Sequence, residues 1–287
     1  MRRPESCLLL VLALVAAPIH ADGSRLLATG GVVPVEGGGG GGIVPWAVLS
    51  GYGSETEAGG SVTYSRLDTD DYAVAVYAAA YSWDNRLELS LARQEFELGT
   101  LRRLIGLAPN AKLRQNIVGL KYRVTGDVVY TPWPQISLGV QYKKNLDPAV
   151  PLAVGARDDA DFDAYVSACK LFLASLAQRN LLTCGTLRYT RANQGGLLGF
   201  GGDGGTGREL HAEVAVALLL NRRFAVGAEY RSKPDNLGFA REDRWYDLFA
   251  AWFPSKRWSV TAAHVDLGSI AGLTDQTGVY VSAQLNW

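Results

Sequence analysis

The sequence predicts an all-β protein, a transmembrane antiparallel β-barrel of about 12 strands after a cleaved signal peptide. Three observations carry this. From about residue 60 onward, apolar residues recur at every second position in runs of roughly ten, about what a tilted strand needs to cross a bilayer. Beyond a short apolar run at 8–17 there is no stretch of about eighteen apolar residues to make a spanning helix. Tight turns alternate with long polar or Gly-rich loops, the pattern of membrane barrels with short periplasmic turns and longer outer loops.

The first element is an export leader. Arg2 and Arg3 precede the apolar run, and Ile19-His20-Ala21 puts a small residue at the expected cleavage position, so residues 1–21 read as a signal peptide. Residues 22–58 form a Gly-rich N-terminal segment with six consecutive glycines at 37–42. Such a run reads as flexible chain. Counting 43–53 as a strand would make thirteen and put the N-terminus outside, so 37–53 reads as a mobile or inward-folded segment, a candidate lumen plug.

The barrel is expected over 59–287. Strands near 60–67 and 71–82 lead to a turn at Trp83-Asp84-Asn85. In 86–96, Leu87, Leu89 and Leu91 oppose Arg86, Glu88 and Ser90. In 115–130, Val118, Leu120, Tyr122, Val124, Val128 and Tyr130 share a face against Lys121, Arg123 and Asp127. In 135–144, Ile136, Leu138, Val140 and Tyr142 oppose Gln135, Ser137, Gln141 and Lys143. Strands near 161–172 and 181–192 flank a turn at 178–180. Those near 208–219 and 224–232 repeat the alternation about a turn at 221–223. Strands near 244–253 and 257–267 flank 254–256, and the last spans 277–287. Long loops lie near 97–112, 145–160, 193–207, 232–243 and 268–276.

Trp83, Tyr130, Trp133, Phe172, Phe224, Trp252, Phe253 and Trp258 sit beside the short turns, as an interfacial girdle would. The final strand ends on Trp287, and this resembles the C-terminal signal read by the barrel assembly machinery. The expected surroundings are therefore outer-membrane lipid in a Gram-negative envelope. The formal charge of zero leaves no basic excess for nucleic acid.

Inward alternation assigns to the lumen Arg86, Lys121, Arg123, Lys143, Arg188 and Arg231, with Glu88, Asp127, Asp163, Glu213, Glu229 and Asp247, plus His211. Six positive and six negative charges argue against a strongly ion-selective pore. Cys169 and Cys184 lie symmetrically about the 178–180 turn on the lumen face, where either a disulfide or two small buried thiols would fit. No metal site is expected from two cysteines and two distant histidines. Nor is a cofactor expected: Gly199-Phe200-Gly201-Gly202-Asp203-Gly204 matches a dinucleotide fingerprint by letter, but no parallel strand–helix unit surrounds it, and it reads as a flexible outer loop.

The segments Ala28-Thr29-Gly30-Gly31-Val32, Gly41-Gly42-Ile43-Val44-Pro45-Trp46-Ala47 and Gly51-Tyr52-Gly53 carry a family resemblance. So do Arg86-Leu87-Glu88-Leu89-Ser90-Leu91-Ala92-Arg93-Gln94, Lys170-Leu171-Phe172, Ala192-Asn193-Gln194 and Gly196-Leu197-Leu198-Gly199-Phe200-Gly201-Gly202. Across nearly the whole mature chain, the sequence resembles a proteobacterial outer-membrane family known as domain of unknown function 3034. The resemblance implies an exported outer-membrane protein and transfers no activity or catalytic residue.

The preferred expectation is a non-enzymatic, porin-like channel or transporter for small solutes. The alternative is a closed structural or envelope-assembly barrel without a pore. A third reading, an outer-membrane lipid hydrolase, would need a serine paired with His264 on the outer wall.

Overall fold

The structure is a computed structural model that describes residues 25–104, 106–108 and 111–287. The leader and its cleavage position lie outside the described residues. The strands are β1 (Ala58–Thr69), β2 (Ala73–Trp83), β3 (Leu87–Glu97), β4 (Lys112–Thr125), β5 (Gln135–Asn145) and β6 (Ala160–Leu176), followed by β7 (Arg179–Thr190), β8 (Glu209–Leu219), β9 (Phe224–Arg231), β10 (Trp245–Trp252), β11 (Trp258–Asp266) and β12 (Thr277–Asn286). Each pairs antiparallel with its sequence neighbour, and β12 pairs with β1, so the twelve strands close into a barrel without edges. At the seam Val62 faces Leu285, and Gly60 and Trp287 exchange backbone hydrogen bonds of 2.9 and 3.0 Å. The Trp287 indole lies against Gly60, where a Cβ would meet it at 2.7 Å.

Alternation gives the wall two chemistries. Outward positions such as Leu120, Leu138, Val140, Val214 and Val281 are exposed, while their inward neighbours are buried. This is the arrangement of a sheet with lipid outside. Trp83, Tyr130, Trp133, Phe172, Phe224, Trp252 and Trp258 are exposed at the short-turn end. Phe253, expected in that girdle, is buried instead. A second outward aromatic set, Tyr64, Tyr77, Tyr142, Phe162, Tyr189 and Tyr246, lies toward the long-loop end. Paired rings there include Tyr64–Tyr77 and Tyr230–Tyr246, each at 5.3 Å between centroids.

β4 ends at Thr125, not near 130. The register shifts between Arg123 and Thr125, and Gly126 then takes φ +75. Asp127 accepts hydrogen bonds from the N–H groups of Val129 and Tyr130 at 2.7 and 2.9 Å, which fixes a turn there instead of a strand. Val128 consequently turns inward and is buried. At the β6–β7 turn, Ala177 and Gln178 take positive φ of 46° and 59°, the backbone of a tight hairpin turn. Among the described residues the long loops carry two short helices, α1 (Gly99–Leu104) and α2 (Ala149–Ala153), and one 3-10 turn at Asn193–Gly196. The loop after β7 folds over the barrel mouth with Asn193, Gln194 and Phe200 buried. It is an inward cap rather than the flexible outer loop its glycines suggest.

Candidate functional site: a lumen filled by the N-terminal segment

Inside the barrel, residues 31–52 are buried along their length. The segment folds on itself: Val32 and Gly40 exchange backbone hydrogen bonds of 2.9 and 2.7 Å, and Val35 N–H donates to Gly42 O at 3.0 Å. The glycine run is therefore ordered, contrary to its flexible reading. Gly37 and Gly38 both take φ +80, and a Cβ on Gly41 would overlap the Glu229 carboxylate. Missing side chains let the backbone N–H groups reach wall carboxylates directly. Both ends of the plug lie at the short-turn mouth. Arg25 donates to Leu49 O and Gly51 O at 3.0 and 3.2 Å, Ala28 N–H donates to the Tyr52 hydroxyl at 3.3 Å, and Gly51 packs on Gly59 and Gly60 at the start of β1.

Wall side chains grip the plug mainly by its backbone. The Glu88 carboxylate accepts from Gly39 N–H, 3.1 Å to each oxygen, and from Ser50 N–H at 2.6 Å. Lys121 donates to Gly39 O and Val48 O at 2.5 and 3.0 Å and lies 3.4 Å from Glu88. Glu229 accepts from Gly42 N–H, Ile43 N–H and the Trp46 indole N–H at 2.7, 2.8 and 3.0 Å. Gln135 and Ser137 both donate to Ala47 O at 2.6 Å, and Ser167 and Thr186 both bond Pro45 O. These polar side chains answer backbone groups that would otherwise be buried without partners.

Glu36 is the one plug carboxylate in this network, and it is the only charged residue between 26 and 54. Its Oε1 lies 2.6 Å from Lys143 Nζ and 2.8 Å from Arg231 Nη2, and its Oε2 lies 3.1 Å from Arg188 Nη2. Two wall acids share these cations: Asp163 with Lys143 and Arg188 at 2.7 and 3.3 Å, and Glu213 with Arg188 at 2.5 Å. Asp247 faces Glu229 across β9–β10, and its Oδ1 has no hydrogen-bond partner.

Of the residues assigned to the lumen, Glu88, Lys121, Lys143, Asp163, Arg188, Glu213, Glu229, Arg231 and Asp247 are buried inside the barrel. Arg86 and Asp127 lie in turns beyond the strand ends, whereas Arg123, opposite the buried Ser137, is on the inward face of β4 at the short-turn rim. Arg86 is exposed in the β2–β3 turn, and Arg123 donates to Gly126 O and pairs with Asp127 at 3.4 Å. With Glu55, Asp84 and Asn85, Arg86 and Arg123 line an open cleft of about 470 Å³ at the short-turn rim. His211 sits at the opposite end, its Nδ1 3.3 Å from Ser232 Oγ and its Nε2 3.7 Å from Glu209. Cys169 and Cys184 face each other in register and form a disulfide, and Ala47 N–H donates to Cys169 Sγ at 3.2 Å.

Two small cavities lie between plug and wall. One of about 40 Å³ lies under the cap among Phe96, Leu197, Trp245 and Leu267, and another of about 30 Å³ lies beside Trp46, Leu182 and Phe249. Each is about the size of a water or two and is lined mostly by apolar side chains. Over the mouth, Gln194 N–H donates to Glu242 at 2.9 Å, and Lys233 lies 3.4 Å from Glu242 and over the Trp245 ring at 4.7 Å. Burial pushes the Lys233 ammonium down to about 8, against the opposing pull of Glu242. His264 points outward between Leu248 and Val279, and the adjoining outward positions of β10 and β12 carry no serine.

The architecture is similar to that of solved outer-membrane porins. A KdgM porin matches with a TM-score of 0.50 at 10% identity, over 78% of this chain and 98% of that one. Omp33 from Acinetobacter baumannii matches at 0.49 and 8% identity, over 82% of this chain and 100% of its own. A NanC porin matches at 0.47 and 8% identity, over 79% and 98%. At such identities the likeness is one of fold. Among curated proteins no match was found. A family model, described as protein of unknown function DUF3034, matches residues 29–284 and so takes in both plug and barrel, and the chain belongs to that family.

Proposed function

We propose that this chain is a non-enzymatic, Gram-negative outer-membrane channel for small solutes, held shut at rest by its own N-terminal plug. The observation that carries the reading is the way the plug is mounted. It is a loop with both ends at the short-turn mouth, bound to the wall through hydrogen bonds and ion pairs as well as by apolar packing of Val32, Val35, Ile43, Val44, Trp46 and Val48. A loop mounted so can leave toward the periplasm without threading through the barrel. Each polar contact it breaks is exchanged for water, at a net cost of about 0.5–1.5 kcal/mol per neutral hydrogen bond and about 1.5–3 kcal/mol per bond to a charged group. In this reading the apolar wall lies in lipid, and the Trp287-terminated strand is the element presented to the assembly machinery.

The test is conductance in planar bilayers. Full-length protein should be silent or rarely open, and discrete steps should appear in variants whose wall contacts to the plug are cut, such as Glu88→Gln. Persistent silence in those variants, with the barrel intact by heat-modifiable gel mobility, rules the channel out. The second reading, a closed structural or assembly barrel, is favoured by the small size of the inner cavities. It expects that silence together with a stoichiometric partner on purification.

A further inference from the structure

We infer that Lys143, Arg188 and Arg231 form a receptor for the carboxylate of a small monoanionic solute, and that Glu36 of the plug occupies it at rest. The inference rests on the channel reading for its transport meaning and names the class of solute. The three cations come from β5, β7 and β9 and converge on both oxygens of one carboxylate, at 2.6, 3.1 and 2.8 Å. All three are at most 3% exposed with the plug in place, and from the wall side Asp163 holds Lys143 and Arg188 while Glu213 holds Arg188 and Arg231. Their wall partners, Asp163 and Glu213, supply two negative charges for three positive ones. The wall alone therefore carries one positive charge in excess at this level, and Glu36 cancels it. When the plug leaves, that excess calls for another anion. Two guanidinium forks and an ammonium suit a carboxylate by both charge and geometry.

Neighbouring charge narrows the class. Glu229 lies two residues before Arg231 on the same inward face, about 7 Å along the strand, and Asp247 faces it. At rest Glu229 is met by plug N–H groups, not by a cation. With the plug out, this pair repels a second negative charge and accepts hydroxyl or amine donors. The favoured solute is a monocarboxylate with neutral polar groups, in preference to a dicarboxylate or inorganic phosphate.

Two measurements on the full chain test this. In the first, a solute that takes the vacated site competes with Glu36, so gluconate should speed hydrogen exchange of plug amides in wild-type protein. The expected gain is about tenfold once its concentration is some ten times its dissociation constant for the open site. Succinate and phosphate should do markedly less. In the second, Glu36→Gln in planar bilayers should prefer anions, and gluconate should block its chloride current. Adding Arg188→Gln should abolish the block.

Open channels with neither anion preference nor gluconate block, together with unchanged plug exchange, would overturn the receptor and leave the channel reading standing. Silence in every plug-loosened variant, with gluconate still speeding exchange, would overturn transport and leave the anion site. Equal effects of succinate or phosphate would refute the monocarboxylate preference.

Discussion

Replacing Glu88 by Gln should loosen the plug without unfolding the barrel. The carboxylate and its partner Lys121 are both 1% exposed at the side chain and 3.4 Å apart. Its two oxygens also serve Gly39 N–H and Ser50 N–H. A carboxamide keeps one accepting oxygen and turns an N–H₂ toward the place of the other, so at least one plug donor loses its partner. Lys121 loses its counter-charge, although Gly39 O and Val48 O remain to it. Breaking a buried pair by removing one partner costs about 3–5 kcal/mol, and the retained carbonyls place this case near the lower figure. At 1.4 kcal/mol per tenfold, about 3 kcal/mol raises the population of the released plug by roughly a hundredfold. Amide exchange reads this directly: protection across residues 37–50 should fall by about two decades, while β8–β10 keep theirs. Unchanged plug protection would show that the carboxylate does not hold the loop. Equal loss across plug and strands would show that plug and barrel are one cooperative unit, and would defeat the idea of separate release.

Other perturbations reach the same machinery. Gly41→Ala would drive a methyl into the Glu229 carboxylate. It should speed exchange at residues 41–46 while leaving the wall strands protected, and normal plug protection would refute the close-approach argument. Cys169→Ser with Cys184→Ser opens a loop with a sequence separation of 15 residues. Chain entropy predicts up to about 3 kcal/mol for such a loop, less here because hairpin pairing already restrains it, so thermal denaturation should show a lower midpoint. Lys233 should titrate near 8 by lysine side-chain NMR, well below the exposed value of about 10.4. Glu242→Gln should lower that midpoint further, because the carboxylate is what supports the charge; a midpoint above 10 in wild type would show the cap to be open to water.

Two-residue alternation was legible because lipid on one side and a polar lumen on the other impose opposite chemistry on successive residues. That is why Glu88, Lys121, Lys143 and Arg188 could be assigned to the lumen from their neighbours alone. Alternation tells the side of the sheet but not the depth. Arg86 and Asp127 lie where strands run out, and there turn geometry sets their direction, while Arg123 keeps its inward face but sits at the rim. Phe253 was misplaced for the same reason. The glycine run was the harder case. Its composition describes a chain with nothing around it, whereas the structure surrounds it with Glu88 and Glu229, and glycine is then required for contact instead of freedom. One signal for the plug was available: Glu36 is the sole charge in a long neutral segment, and such a charge needs a partner if the segment turns inward.

Zero net charge concealed a radial division. Among the described residues, the buried wall carries Lys121, Lys143, Arg188 and Arg231 against Glu88, Asp161, Asp163, Glu213, Glu229 and Asp247. A twelve-stranded barrel is wider than side chains alone fill, so these groups need either water or another segment between them. Wholly apolar filling would leave Glu229 and Asp247 with no donor from the plug and would strip Lys121, Arg188 and Arg231 of part of their hydrogen bonding, a costly burial. The plug meets the requirement with backbone N–H and C=O groups and one carboxylate, the same hydrogen-bonding functions that water and a small polar solute offer. Where the plug meets the wall through such groups, water can take its place, and the packing of Val32, Ile43, Val44, Trp46 and Val48 against the wall is the part of its hold that water does not replace.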